Sequence, residues 1–358
     1  MFATDITPGD KVIFVSRERA FTVGDVIDAA HFRGEIEPIW QQLLRLNAAE
    51  FKAEAQDLDP EDEAIDAAAE QFRYAHDLIT AEETERWLAD RGLSLGDFSA
   101  WIVRQYWGRE VEDAEPEQVD FFSAPAEERK VLRQELIFSD EFDGMALRLS
   151  WRVAAAREHE HDPPEADALA EEESAFVERA GLGHSEVASW LEKLGRDEGW
   201  LGECLTMEAI YHRERGAVLS REACEREIAA LRVPLTRFEV ETIELDSLDA
   251  AREALLCARE DGMSMEAVAA EGRYPYRRPA VLLEEIPEDL QPIFLGVRAG
   301  DILEPIPRGE GFHVFRIVEK AEPDLRDPAV RERAEARILE RHFAELAARH
   351  IQWQLLPG

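Results

Sequence analysis

FLGVRAGDILEPIPRGEGFHVFRIVEK, from Phe294 to Lys320, is the stretch on which the rest of the chain turns. A helix end, the turn Arg298-Ala299-Gly300, an extended piece over Ile302 to Ile306, a second glycine-rich turn and a strand over Phe312 to Glu319 follow one another. Period two puts His313, Phe315 and Ile317 on one face of that strand and Phe312 and Val314 on the other. His313 is the histidine of the segment. It belongs either to a working site or to a hydrogen-bonded structural position.

Upstream, Phe238, Val240 and Thr242 alternate with Glu239 and Glu241, a second strand pattern whose residues 238, 240 and 242 share a face. Ser247 to Asp261 reads as a helix stopped by Gly262, and Ser264 caps a short one. YPYRRP breaks the chain there, and Glu288 to Val297 reads as a third helix. The order strand, helices, strand, strand predicts a small α+β domain with a mostly antiparallel sheet, over 233–323. Downstream, Asp327 is an N-cap and Pro328 a first helical residue. Leu339, Phe343, Leu346 and His350 then line one side of a long helix over 324–358. Such a helix needs a partner, and the helical region before the small domain supplies one.

That region, 1–232, reads mostly as helix after a short strand from Lys11 to Val15. Thr80-Ala81-Glu82-Glu83 is a capping box, Gly92 a helix stop, and Ser94 to Asp97 a new start. The acidic, proline-containing segment 111–126 reads as a linker between helical units 1–110 and 127–232. Trp87-Leu88 with Gly92 and Gly96 recurs at identical spacing as Trp190-Leu191 with Gly195 and Gly199, each copy after a phenylalanine-bearing helix (Phe72, Phe176). Aromatics at helical spacing are read as core.

The bulk numbers narrow the function. A chain of 358 residues suits two or three domains, and 45% apolar residues mark it as globular. Its 78 acids against 41 bases give a formal charge of −37. That field repels phosphate backbones and anionic membrane surfaces and tolerates a basic peptide. Nucleic acid and membrane are therefore not expected as partners, and the acidity serves solubility first. Cys204, Cys224 and Cys257 form no CxxC pair, so neither a zinc ribbon nor a disulfide framework is expected. MFATDITPGDKVIFV has no basic segment leading a long apolar run, and the expectation is a cytoplasmic protein. His159-Glu160-His161-Asp162 is the densest set of metal-capable side chains. It reads as a solvated helix end, and no metal or other cofactor is expected. Phosphate-loop, dinucleotide and nucleophile-elbow motifs are missing.

With these residues in place, 238–320 resembles the parvulin-type peptidyl-prolyl isomerase domain. Gly311-Phe312-His313 is similar to that family's glycine-aromatic-histidine strand, and Arg298-Ala299-Gly300-Asp301 to its turn. Helices first, an inserted parvulin domain and a returning final helix resemble SurA- and PrsA-type folding factors, here a divergent peptide-maturation branch. The resemblance implies a mainly α fold with an inserted α+β domain. It names His313 and Thr242 as catalytic candidates; Phe294, Leu295 and Phe312 read as pocket or core residues and, with His313, are the peptide-binding candidates. Thr242 stands where the family has its first histidine, and the loop EGRYPYRRPAVLLEEIP has neither the family's cysteine or aspartate nor its glycine-rich run. Turning an X–Pro bond means crossing a barrier of roughly 18–20 kcal/mol, by desolvating the imide and stabilising its twisted form. A Thr–His pair would keep the floor polar without reproducing two coupled imidazoles. The expectation is a SurA-like chaperone or peptide-binding protein with a degenerate, inactive parvulin domain. Its partner would be an extended or precursor peptide, basic in character, presented to peptide-tailoring enzymes. The alternatives are an active isomerase and a structural scaffold, as a homodimer, in a biosynthetic complex.

Overall fold

The computed structural model describes residues 11–354 apart from 112 and 310. The first ten residues, on which the targeting expectation rests, lie outside them. The chain divides into two compact units, Met1–Glu214 with Phe343–Gly358, and Arg215–His342. The sequence boundaries at 232/233 and 323/324 lie inside the second unit. The division falls within helices rather than in linkers, because a continuous helix carries the chain across each boundary.

The helical unit opens with a hairpin, β1 (Val12–Ser16) and β2 (Arg19–Thr22), turned at Arg17 with φ 54°. Thr22 and Asp25 form a capping box that starts α1 (Val23–Phe32). There follow α2 (Ile36–Ala55), α3 (Asp62–Ala75), α4 (Ala81–Asp90), α5 (Leu95–Glu110), α6 (Ala126–Phe138), α7 (Glu141–Glu158), α8 (Ala166–Arg179), α9 (Val187–Leu194) and α10 (Glu198–Val218). The capping boxes at Thr80 and Ser94 form as their spacing predicts.

The repeat in the sequence is a repeat in packing. In one cluster Phe72 meets Trp87 edge-on at 5.5 Å, with Leu88, Phe98 and Ile102 beneath. In the other Phe176 meets Trp190 edge-on at 5.1 Å, with Leu191, Leu201 and Leu205 at the same spacings. Gly92 and Gly195, at φ +70° and +71°, end α4 and α9 in the left-handed conformation that lets each chain turn into the next helix. Edge-to-face ring pairs add about 0.5–1.5 kcal/mol beyond their burial, so the tryptophans act as core.

The segment 111–126 is tied down. Trp40 Nε1 donates to Val119 O at 2.7 Å, and Phe121 meets the Trp40 ring at 5.5 Å. Composition signals a linker there, but one buried indole donor needs an acceptor, and this backbone supplies it.

The C-terminal helix returns as expected. α15 (Pro328–His350) places a fully buried Phe343 against Trp151 at 5.7 Å and Tyr211 at 4.7 Å. After it, β8 (Gln352–Trp353) adds antiparallel to β1, pairing Phe14 with Trp353. Two residues carry no readable period, so β8 left no trace in the sequence.

The second unit holds α11 (Arg221–Ala230), β3 (Arg237–Leu245), α12 (Leu248–Arg259), α13 (Met265–Gly272), β4 (Tyr276–Arg277), β5 (Ala280–Leu282), α14 (Gln291–Gly296), β6 (Ile306–Arg308) and β7 (Gly311–Ala321). The sheet runs β4-β3-β7-β6, with β5 also on β3, all antiparallel. YPYRRP, read as a break, contributes the edge strand β4. Val240 and Glu244 donate to the carbonyls of Pro279 and Pro275, a role that needs no N–H from proline. The strand expected at Ile302 to Ile306 is ordered as β6 only from Ile306. Pro305 has no donor, and upstream of it Ile302 makes a lone bridge to Arg316 while Leu303 N donates to Phe315 O. One sheet face packs Ile243, Leu245 and Val314 on α12 and α13. The other packs Phe238, Val240 and Ile317 around Phe294 of α14.

Candidate functional site

β3 and β7 bring the two catalytic candidates onto adjacent strands. The register sets Thr242 opposite Phe315 and Glu244 opposite His313, with Ile306 of β6 on the other side of His313. Partners in register share a face, so Thr242, Glu244, His313 and Phe315 do so. Thr242 and His313 are diagonal neighbours there. Gly311 is required by close approach: a Cβ on it would stand 2.5 Å from Leu245 O. That lets β7 start tight against β3 and fixes His313 two residues on.

The polar surroundings of His313 are ionic. Glu244 pairs with Arg277 of β4 at 3.3 Å, and Arg308 of β6 with Asp289 at 3.1 Å. Among the described residues the imidazole has no hydrogen-bond partner, so the Thr–His bond of the sequence reading is not made. Its ring tilts against Phe315 at 5.8 Å. Partial burial pushes its pKa down, Arg308 and Arg277 add to this, and Glu244 opposes them. The ring is thus neutral at neutral pH. The face offers one imidazole, a threonine and an ion pair.

The peptide-binding candidates separate. Phe294 is 2% exposed and meets Phe238 and Phe315 edge-on at 5.5 and 5.8 Å, in the layer beneath the His313 face. Leu295 is exposed on α14, as is Ile293. Phe312 packs with the opposite layer, on the α12 and α13 side. Lys320 holds α14 in place, its Nζ donating to the carbonyls of Phe294, Leu295 and Val297.

The helical unit holds two features with no readable motif. The first is an open groove of about 530 Å³, where Leu44, Ala48 and Phe51 of α2 face Ala114 and Val119. Phe51 is 72% exposed, and the rim carries three acids, Glu115, Glu117 and Glu128, against one base, Lys52. The second is a cavity of about 350 Å³ walled by His31, Phe121, Phe122 and Trp190. The His31 ring lies 4.5 Å from Phe121 and 5.3 Å from Phe122. Its Nε2 is shut from solvent without a partner among the described residues. Burial pushes its pKa down to about 4, with Asp120 opposing. A phenylalanine on the helix face of Ala48 and Leu44, one and two turns before it, was the available sequence signal for the groove. The cavity needed the path of 111–126.

His159 is committed to Glu214 at 2.7 Å and Asp162 to Arg213 at 3.3 Å. Among the described residues no cluster of three or more side chains could hold a metal ion. The cysteines are free thiols, and burial pushes that of Cys204 up to about 12. No helix of the described residues is long and apolar enough to cross a membrane.

No protein-family model matches the chain, and no curated protein matches it. Among solved structures it is similar to the peptidylprolyl isomerase PrsA of Bacillus cereus, at 12% identity and a TM-score of 0.35, over 66% of this chain and 90% of that one. It is similar also to PrsA of Bacillus anthracis, at 12% identity and a TM-score of 0.30, over 57% and 94%. A third likeness is to SurA-like chaperones of Campylobacter jejuni, at 6% identity and a TM-score of 0.21, over 60% and 88%.

Proposed function

We propose that the chain is a chaperone-like peptide-binding protein whose sheet unit is a degenerate, inactive relative of the parvulin domain. The observation that carries the reading is the groove floored by Leu44, Ala48 and Phe51 and rimmed by Glu115, Glu117 and Glu128. Phe51, exposed to 72%, stands beside other apolar groove residues, and it is a contiguous apolar surface rather than a lone side chain that marks an interaction site. Apolar floor and acidic rim together suit an extended peptide that alternates apolar and basic residues. Tyr74, Ile79 and Leu95 are also exposed in the helical unit.

Inactivity is supported by the His313 face, where Thr242 and the Glu244–Arg277 pair stand in place of a second imidazole. A precursor peptide handed to tailoring enzymes fits the same groove.

A labelled, C-terminally amidated peptide of alternating leucine and lysine tests the reading by fluorescence anisotropy. Binding is expected to weaken about tenfold in Phe51→Ser, the loss of one buried aromatic anchor, and to fall with added salt as the rim is screened. Equal binding by wild type and Phe51→Ser would remove the groove from the account. In a proline tetrapeptide exchange assay, acceleration that disappears in His313→Ala would overturn the inactive assignment.

A further inference from the structure

A small cavity in the helical unit collects three cations. Lys11, Arg91 and Arg133 line it, and all three are partly buried. None of them forms an ion pair among the described residues. Arg148, Arg152 and Arg196 of the same unit each pair with a carboxylate at 2.5–3.0 Å. In a chain with 78 acids and 41 bases, three unpaired cations at one cavity are unexpected.

The acid in the lining is Asp143, and Asp90 and Asp140 act on the group from farther away. Burial lowers the pKa of all three cations, and Arg91 and Arg133 push Lys11 down further against Asp90. The cations therefore feel one another. Arg91 is braced over the Trp87 ring at 4.1 Å, which holds its guanidinium in place. Partly buried cations that make no direct ion pair cost stability, and an anion that enters beside them offsets the cost.

Size and walls narrow the anion. The cavity measures about 30 Å³ and is partly open to solvent. A water needs roughly 10–15 Å³ on this measure, so a two-oxygen head group fits. Ile13, Ile137, Phe142 and Trp353 make the rest of the wall apolar. A free inorganic anion would use the cations and waste those walls. A planar carboxylate carried on an apolar group uses both, with its oxygens matched to a guanidinium fork.

We propose that this cavity receives the terminal carboxylate of a peptide ending in an apolar residue. The identification of the ligand as a peptide rests on the reading above. The site itself rests on the unpaired cations.

The test titrates the full chain with N-acetyl-L-leucine and, separately, N-acetyl-L-leucinamide. The readout is the Trp353 indole resonance in a ¹⁵N-labelled sample, identified by its loss in Trp353→Phe. The acid is expected to give a saturable shift and the amide to bind at least about tenfold more weakly. Arg133→Gln is expected to weaken the acid by a similar factor and Arg133→Lys to weaken it less, the charge being kept and the fork lost. Equal binding of acid and amide, no saturable shift up to the solubility limit, or an unchanged affinity in Arg133→Gln would each overturn the site. Acid and amide are compared on the unmutated protein, so the test survives a variant that fails to fold. The amidated peptide of the Phe51 assay cannot use this cavity, so its binding judges the peptide reading separately.

Discussion

The sheet unit and the helical unit use charge in opposite ways. In the sheet unit the arginines pair across the surface: Arg278 with Glu239, Arg277 with Glu244, Arg308 with Asp289, Arg259 with Glu304. These pairs are largely open to water, where each contributes about 0–1 kcal/mol. The helical unit has surface pairs too, Arg19 with Glu203 among them, but it also takes charges inside. Arg152 and Glu208 meet at 2.5 Å with side chains 11% and 6% exposed, and the Arg152 guanidinium lies 4.0 Å over the Tyr211 ring. Lys11, Arg91 and Arg133 make no direct ion pair among the described residues, although Asp143 lines their cavity. Charge in the sheet unit is already spent on neighbours. In the helical unit it either fixes the core or waits for a ligand.

Removing one partner from each kind of pair tests this most severely. Glu208→Ala leaves the buried Arg152 uncompensated and should cost about 3–5 kcal/mol. Glu239→Ala, at an exposed pair, should cost no more than about 1 kcal/mol. Calorimetric melting of the two variants beside wild type reads the difference. Similar losses in both would mean that the two units do not differ in how they use charge.

The second test uses pH. His31 keeps a neutral ring in the folded helical unit, with its pKa pushed down to about 4. In the unfolded chain the ring titrates near its ordinary value. Between the two values the unfolded state binds the extra proton, so stability falls as pH drops from about 6.5 to about 4. The loss amounts to roughly 2–3 kcal/mol. His31→Phe removes it, so the wild-type-minus-variant stability should decline by that amount across the window and stay flat above it. Asp25 and Glu35, held below the usual carboxylate range, also titrate in acid but are common to both proteins and cancel. A flat difference across the whole window would mean that His31 is hydrated through its cavity.

How much of this was legible follows from what each feature leaves in the sequence. The repeat was readable because Trp87 and Trp190, Gly92 and Gly195 each do a local job at fixed spacing. The strand carrying His313 was readable because alternation over β7 is long. β8 and β4 are two residues each and exist only because β1 and β3 have edges to fill. The face of Thr242 and His313 followed from period two. Their diagonal offset did not, because it depends on the bulge between Glu239 and Val240, which sets the register. The cation cavity was least visible: Lys11 just precedes β1, Arg91 caps the end of α4, and Arg133 and Trp353 lie on α6 and β8, so nothing local marks them as neighbours.

The smallest expected effect falls on the residue that stands out most in the sequence. His313 makes no hydrogen bond among the described residues, and its ring contact is to Phe315 alone among the aromatics. It is only partly buried, so His313→Ala strips part of one ring contact and leaves no charge unpaired. Substitutions of that kind usually move stability by less than about 0.5–1 kcal/mol. The Glu244–Arg277 pair survives, because it closes without the imidazole. Melting of His313→Ala should therefore lie close to wild type, and peptide binding at the Phe51 groove should not change. A loss of 2 kcal/mol or more would show that the ring organises the sheet face after all, and the satisfied sheet unit would then hold a reserve of interaction like that of the helical one.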